Sequence, residues 1–219
     1  MYNSNNNLDG LLLRHVAWSV KTAGPSPDNN NRTEIFLLGC KKAMEGNPCK
    51  GCFNSSTWDS TKAEFSHDPV EMAKHIHKNA PNRYITIGGG EPLDQIENLI
   101  ILCRELKKLG FHIIVYTWRS LSKIYKIKDD KFKENILTLL CFIDIIIDGE
   151  FILEEKMWNG NEEDGFISSV GSGNQVIWNI KKRYGFAMKD IKSIKLNDNG
   201  EPIYEFNTDK KKTYELKII

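Results

Sequence analysis

An α/β domain, with parallel strands covered by helices, is predicted by three features of the 219-residue chain. Strand-like and helix-like segments alternate from Glu34 to Asp148, the order in which parallel strands acquire their crossover connections. Ile35–Leu38 is apolar at every position, as suits a strand buried on both faces. Ile96, Leu99, Ile100, Cys103 and Leu106 recur at helical spacing and give one helix an apolar stripe. A chain of this length buries roughly 70% of the surface its extended form exposes, so one substantial core is expected.

The elements follow in order. Leu11–Val20 reads as a first strand, and Pro25, Pro27 and Asp28–Asn31 then break regular structure. Glu34–Leu38 is the second strand. Gly39–Ser60 holds three cysteines and no clear period. Asp68 before Pro69 marks a helix start, because its carboxylate can accept the free first-turn N–H groups and proline is tolerated there; the helix runs through Lys78. Asn79–Pro81 ends it, and strand Tyr84–Ile87 leads into Gly88-Gly89-Gly90. A second helix starts near Asp94 and stops at Gly110. Strand Phe111–Thr117, a helical region over Leu121–Leu140 broken near Asp129–Asp130, and strand Phe142–Asp148 complete the alternation. Gly149–Gly173 is loop-rich, and Gln175–Ile180 returns as a strand. Ile191–Leu196, Pro202–Phe206 and Thr213–Ile219 alternate in polarity, with a turn at Asn197–Gly200, which predicts a small β-rich C-terminal extension. The expected division is a core over residues 1–180 and an extension over 181–219.

Thirty Lys and Arg against 29 Asp and Glu give a net charge of +1, which supplies no general field for nucleic acid or an anionic membrane. The 40% hydrophobic content at that low net charge argues against disorder. No window approaches the roughly 20 apolar residues that span a bilayer. The Asn-rich opening Met1–Gly10 lacks the pattern of a signal peptide. A cytoplasmic location, with no membrane and no direct nucleic-acid binding, is the expectation. Five cysteines form an odd set, which favours reduced thiols or a metal site over a disulfide framework.

Three chemically unusual segments lie beyond strand ends, where α/β folds place their sites: Cys40–Cys52, Gly88–Glu91 and Thr117–Trp118. Cys40, Cys49 and Cys52 carry the sharpest signal. Thiolates favour zinc or iron–sulfur centres, and three of them leave a fourth position open. Zinc would want a fourth protein ligand; His67 is the nearest downstream, with His15, His75, His77 and His112 farther off. Cysteine chemistry alone leaves both metals open. Cys103 and Cys141, each among apolar residues, read as buried structural thiols.

The segment LLGC, then PCKGCFNSSTWD, resembles the cluster-binding loop of radical S-adenosylmethionine enzymes, especially the anaerobic ribonucleoside-triphosphate reductase activating proteins. ITIGGGEPL at Ile85–Leu93, IIVYTW at Ile113–Trp118, DIIIDGEF at Asp144–Phe151 and VGSGNQVI at Val170–Ile177 follow in the order expected for that family, and the resemblance covers about residues 10–180. One departure is the interval of eight residues between Cys40 and Cys49, where the family pattern has three. Closing the longer loop costs only about 0.7 kcal/mol more.

The resemblance implies a partial (β/α) barrel and a [4Fe-4S] cluster held by Cys40, Cys49 and Cys52, with S-adenosyl-L-methionine on the fourth iron. It places Phe53 beside the adenine and Gly89, Gly90 and Glu91 around the methionine part. Thr117 would contribute to the same cavity, beside a Trp118 that stands where the family often has a small residue. Asp148, Asn174 and Gln175 would contact the cofactor, the partner or the wall of the site. The implied reaction is reductive cleavage of S-adenosylmethionine and abstraction of a glycine Cα hydrogen. This would install a glycyl radical on the subunit of an anaerobic ribonucleotide reductase, with reduced flavodoxin or ferredoxin as electron donor. The competing expectations are a radical enzyme acting directly on a small molecule or peptide, and a zinc-stabilised binding module.

Overall fold

Four parallel strands form the centre of the sheet in the structure, a computed structural model that describes residues 10–27, 31–157, 171–209 and 211–217. They are β2 (Arg32–Leu37), β3 (Tyr84–Gly89), β4 (His112–Thr117) and β5 (Ile145–Asp148). Antiparallel strands extend the sheet on both sides: β1 (Leu13–Val20) beside β2, then β6 (Val176–Asn179), β7 (Tyr184–Ala187) and β10 (Thr213–Glu215) beyond β5. The sheet of eight described strands is open, with β1 and β10 at its edges; it is not a closed barrel. Hairpin strands β8 (Ile191–Leu196) and β9 (Pro202–Phe206) form a second, two-stranded sheet. The expected segments at Met1–Asp9, Asp28–Asn30, 158–170 (Val170 included) and Ile218–Ile219 lie outside the described residues.

The strand pattern divides the core in two. Ile35, Leu37, Ile85, Ile87, Ile113, Val115 and Ile146 project to one face, where three helices cover them. These are α2 (Pro69–Asn79), α3 (Ile96–Lys108) and α4 (Asp130–Leu140); a four-residue α1, Lys41–Met44, lies in the cysteine segment. Asp68 caps α2, accepting from Val70 N and Glu71 N at 2.8 and 2.9 Å. Asp129 caps α4 by accepting from Phe132 N at 3.0 Å, which explains the helical break. The opposite face carries Ile114, Ile145, Ile147, Ile177 and Phe186, packed against Ile191, Ile194 and Leu196 of the hairpin. Helices thus cover one face of the parallel strands, where the sequence led us to expect cover without assigning a face.

Several boundaries differ from the sequence reading for local reasons. Phe142 N bonds to Leu139 O at 2.9 Å and prolongs the end of α4, so β5 starts only at Ile145. The stripe from Ile96 to Leu106 is buried as expected, but a 3-10 turn over Pro92–Gln95 precedes it and α3 begins at Ile96. Strand β7 was not expected; Arg183, at φ 57°, closes a tight connection from β6 and returns the chain beside it. Both β7 and β10 join the main sheet, leaving only the hairpin separate. Cys103 is fully buried on α3, whereas Cys141 corrects the expectation of a second buried thiol. Cys141 follows the last turn of α4 and is exposed, its Sγ 3.5 Å from Leu137 O.

Candidate functional site

The carboxyl ends of β2, β3, β4 and β5 point the same way, and β6 begins opposite Asp148, so the segment before it reaches the same end of the sheet. A cavity of about 410 Å³ opens there. Cys40, Cys49 and Cys52 all line it, together with Phe53, Gly88–Gly90, Thr117, Trp118 and Gln175. The crevice beyond parallel strand ends therefore gathers residues from four separated stretches of sequence.

Backbone bonds fix the first cysteine. Gly39 N and Cys40 N each donate at 2.8 Å, to Thr57 O and Trp58 O, while Glu91 N donates to Gly39 O at 2.7 Å. Cys40 O accepts from Ala43 N and Met44 N, which starts α1 directly after the thiol. The connection from α1 to Cys49 contains no buried residue. It is tied down by Lys41 N, which donates to Asp94 Oδ2 at 2.6 Å, and by Lys42 Nζ, 2.9 Å from Glu150 Oε1. The extra residues thus pass along the outside while both thiols face the cavity.

All five cysteines are free thiols. Burial pushes the Cys40 and Cys49 thiols up, with the backbone N–H groups of Ala43 and Phe151 working against it. Among the described residues, no three His, Cys, Asp or Glu side chains converge on a point that one metal ion could occupy. The three thiols all line the one cavity. A cubane cluster asks for that donor set, one thiolate to each of three irons rather than three to one ion. Among the described residues, no histidine lines the cavity.

The glycines let backbone approach backbone. Gly89 sits at φ 103°, and a Cβ there would stand 2.5 Å from Leu37 O. A Cβ on Gly90 would stand 2.9 Å from Thr57 O and closer still to Gly39 O, so only glycine admits the contact between the β2 and β3 ends. Glu91 is turned inward and is 1% exposed. Its carboxylate accepts from Leu93 N at 2.9 Å, Thr117 Oγ1 at 2.7 Å and Trp118 N at 3.0 Å. Burial nevertheless pushes its pKa up to about 7 against those three donors. Glu91 therefore braces the cavity wall, and its neighbours Gly88–Gly90 form the surface.

Phe53 is half exposed at the rim, its ring 4.8 Å from that of Phe151 and 5.6 Å from Lys156 Nζ. Gln175 accepts from Ser172 N at 3.0 Å and donates to Gly149 O at 2.9 Å, joining the two chain segments that close one side. Asn174 lies outside the cavity lining; it accepts from Ser172 Oγ and donates to Glu150 O. Asp148 also lies behind the wall, where it accepts from Leu121 N; burial pushes it up to about 6. The structure thus brings eight of the eleven expected residues to one cavity and sets Glu91, Asp148 and Asn174 behind it.

Residues not anticipated from sequence also line the cavity, among them Glu34, Phe36, Trp58, Tyr116 and Phe151. The signal for Glu34 was present: a carboxylate opening a strand otherwise apolar. Tyr116, inside an apolar strand, gave none.

Residues 29–178 match the family described as a 4Fe-4S single cluster domain, and the chain belongs to that family. It is similar to anaerobic ribonucleoside-triphosphate reductase-activating proteins. That of Haemophilus influenzae is 29% identical over 156 residues, spanning 68% of this chain and 88% of the relative. Those of Vibrio cholerae and Escherichia coli K12 are 25% and 22% identical over 151 and 155 residues, spanning 67% and 68% of this chain and 86% and 89% of the relatives. The resemblance read from the cysteine and glycine segments is borne out. No helix among the described residues is long and apolar enough to cross a membrane.

Proposed function

We propose that this chain is a radical S-adenosylmethionine activase that installs a glycyl radical on an anaerobic ribonucleotide reductase. The observation that carries the reading is the sharing of one cavity by Cys40, Cys49, Cys52 and the Gly88–Gly90 wall. Helices on one face of an open sheet and a cavity beyond its parallel strand ends support the partial-barrel architecture of such enzymes.

Cys40, Cys49 and Cys52 would hold the [4Fe-4S] cluster, leaving one iron for the amino and carboxylate groups of S-adenosylmethionine. When bound, the reduced cluster would supply the single electron with which S-adenosylmethionine is split into methionine and 5′-deoxyadenosine, the added hydrogen atom coming from the Cα of the acceptor glycine. The protein's residues bind and shield. Gly88–Gly90 admit the methionine part close to backbone, and Glu91 holds Thr117 and Trp118 in place beside it. Phe53 and Phe151 give an apolar rim that limits water and oxidant access. Reduced flavodoxin or ferredoxin would supply the electron, and the cytoplasm is the compartment that suits free thiols.

Anaerobic reconstitution, reduction and incubation with S-adenosylmethionine and the reductase subunit test the reading. Formation of 5′-deoxyadenosine together with a partner-dependent glycyl doublet in electron paramagnetic resonance is expected. Cleavage without the doublet would overturn the acceptor; protein that takes up zinc but no iron and sulfide would overturn the chemistry.

A further inference from the structure

A second cavity, of about 750 Å³, shares no lining residue with the first. Two of its lining residues, Lys41 and Arg119, directly follow Cys40 and Trp118, which line the first. The starts of α3 and α4 supply much of the remaining wall, Glu97 from one and Lys131 and Phe132 from the other. Helices of 13 and 11 residues thus bring the positive ends of their dipoles to one space, which favours an anion there. A buried amide in the same wall is the independent sign of a ligand.

Asn135 is 9% exposed and shares the buried side of α4 with Ile136, Leu139 and Leu140. It lines the cavity, and among the described residues no hydrogen bond reaches its side-chain amide. A buried polar group left unpaired is costly, and an apolar residue in its place would avoid that cost. The charges of the wall are unevenly committed. Asp94 accepts from Lys41 N at 2.6 Å and from Arg119 Nη2 at 2.7 Å, so both its oxygens are used. Asp129 accepts from Phe132 N at 3.0 Å as the cap of α4. Among the described residues Glu97 is the lining carboxylate without a partner, whereas Lys41, Lys128 and Lys131 all line the cavity with their ammonium groups in no ion pair. Arg119 adds a fourth cation, held between the rings of Trp118 and Phe132 at 4.8 and 4.9 Å. The uncommitted charge is therefore positive.

The cations come from separate parts of the wall, Lys41 from the cysteine segment and Lys128 and Lys131 from the start of α4. A ligand with several negative charges in a row engages both parts at once; a single small anion does not. We propose that this cavity binds a condensed phosphate, free or as the phosphate chain of a nucleotide. Lys41, Lys128 and Lys131 pair with its oxygens, and Asn135 donates its amide N–H to another. The site is distinct from the cavity that holds the three cysteines, and it does not depend on the activase reading. It adjoins the cysteine segment through Asp94, which holds the backbone N–H of the residue after Cys40.

Calorimetric titration and thermal melting of the anaerobically reconstituted protein test the site, with tripolyphosphate and ATP as probes. Salt at about 0.15 M screens diffuse attraction beyond roughly 8 Å. Wild type should bind and melt at a higher temperature with either probe. The double variant Lys128→Ala/Lys131→Ala should bind at least about tenfold more weakly, because hydrogen bonds to charged groups are the strong ones. Asn135→Leu should bind about fivefold more weakly yet melt, without ligand, no lower than wild type; an amide with a merely structural role would lower that temperature when lost. Lys192→Ala/Lys195→Ala, at exposed positions of the hairpin strand β8, should bind like wild type. Equal affinity for the two probes identifies the phosphate chain itself as the ligand, and tighter binding of ATP identifies a nucleotide. No binding of either probe to wild type, equal weakening in the hairpin variant, or unchanged binding in both site variants would overturn the proposal and leave the activase reading intact.

Discussion

Thr117 donates its hydroxyl to the Glu91 carboxylate at 2.7 Å and so fastens the end of β4 to the segment that leaves β3. The same carboxylate holds Leu93 N and Trp118 N. Thr117→Val should cost about 1 kcal/mol in urea unfolding. Glu91→Gln should cost on the order of 1–3 kcal/mol, because its amide group sets N–H against N–H. The two effects should be non-additive by at least about 0.5 kcal/mol, since they share one bond. Strict additivity would show that the bond is not made.

Glu34 gives the pH dependence of stability a defined sign. Burial holds its carboxyl at about 7, with Arg32 opposing the rise, against an ordinary 4.5. The folded chain binds that proton more tightly than the unfolded one. The contribution is therefore full below about pH 4.5 and is lost as pH rises through 7. Glu34→Gln stays neutral throughout. Between about pH 5 and 8 the wild type should lose on the order of 2 kcal/mol relative to the variant, which becomes the more stable at the alkaline end. Parallel stability–pH curves for the two would show that the carboxylate is solvated.

Gly90→Ala should prevent cluster assembly and lower stability by more than about 2 kcal/mol, because the new methyl would meet the carbonyls of Gly39 and Thr57. Gly46→Ala is the control. Gly46 sits at φ 85° with nothing within 4 Å of a Cβ, so only backbone strain of about 1 kcal/mol is expected. Iron content and thermal melting of both read the difference.

Single replacement of Cys40, Cys49 or Cys52 by alanine should abolish or severely reduce bound iron and sulfide. Cys103→Ser should retain both and lose about 1–3 kcal/mol, since it places a hydroxyl in an apolar core. Cys141→Ser, at an exposed position, should stay within about 0.5 kcal/mol of wild type. Full iron occupancy in any of the first three would remove that cysteine from the ligand set.

The parallel strands and α2 to α4 were legible in the sequence because each carries a period or a cap that acts locally: the Ile96–Leu106 stripe, the Asp68-Pro69 start, the uninterrupted Ile35–Leu38. Strand β7 was not, since Tyr184–Ala187 is short and owes its state to pairing with β6. In the site, Cys40, Cys49, Cys52 and the glycines were legible because their chemistry is unusual wherever it occurs. The inward turn of Glu91 was not, because it depends on Thr117 and Trp118, 26 and 27 residues away. Tyr116 looked like any strand aromatic until pairing set it beside Gly88.

The segment from Lys41 to Pro48 buries none of its side chains, yet the thiols at both of its ends look into the same chamber. Separation along the chain and separation in space are thereby uncoupled between the first and second sulfur. An arc that buries nothing can be lengthened or shortened at little energetic cost without redesigning what it encloses. A search keyed to one fixed interval between cysteines would pass over proteins built this way, whereas one that asks which strand ends the sulfurs follow would find them.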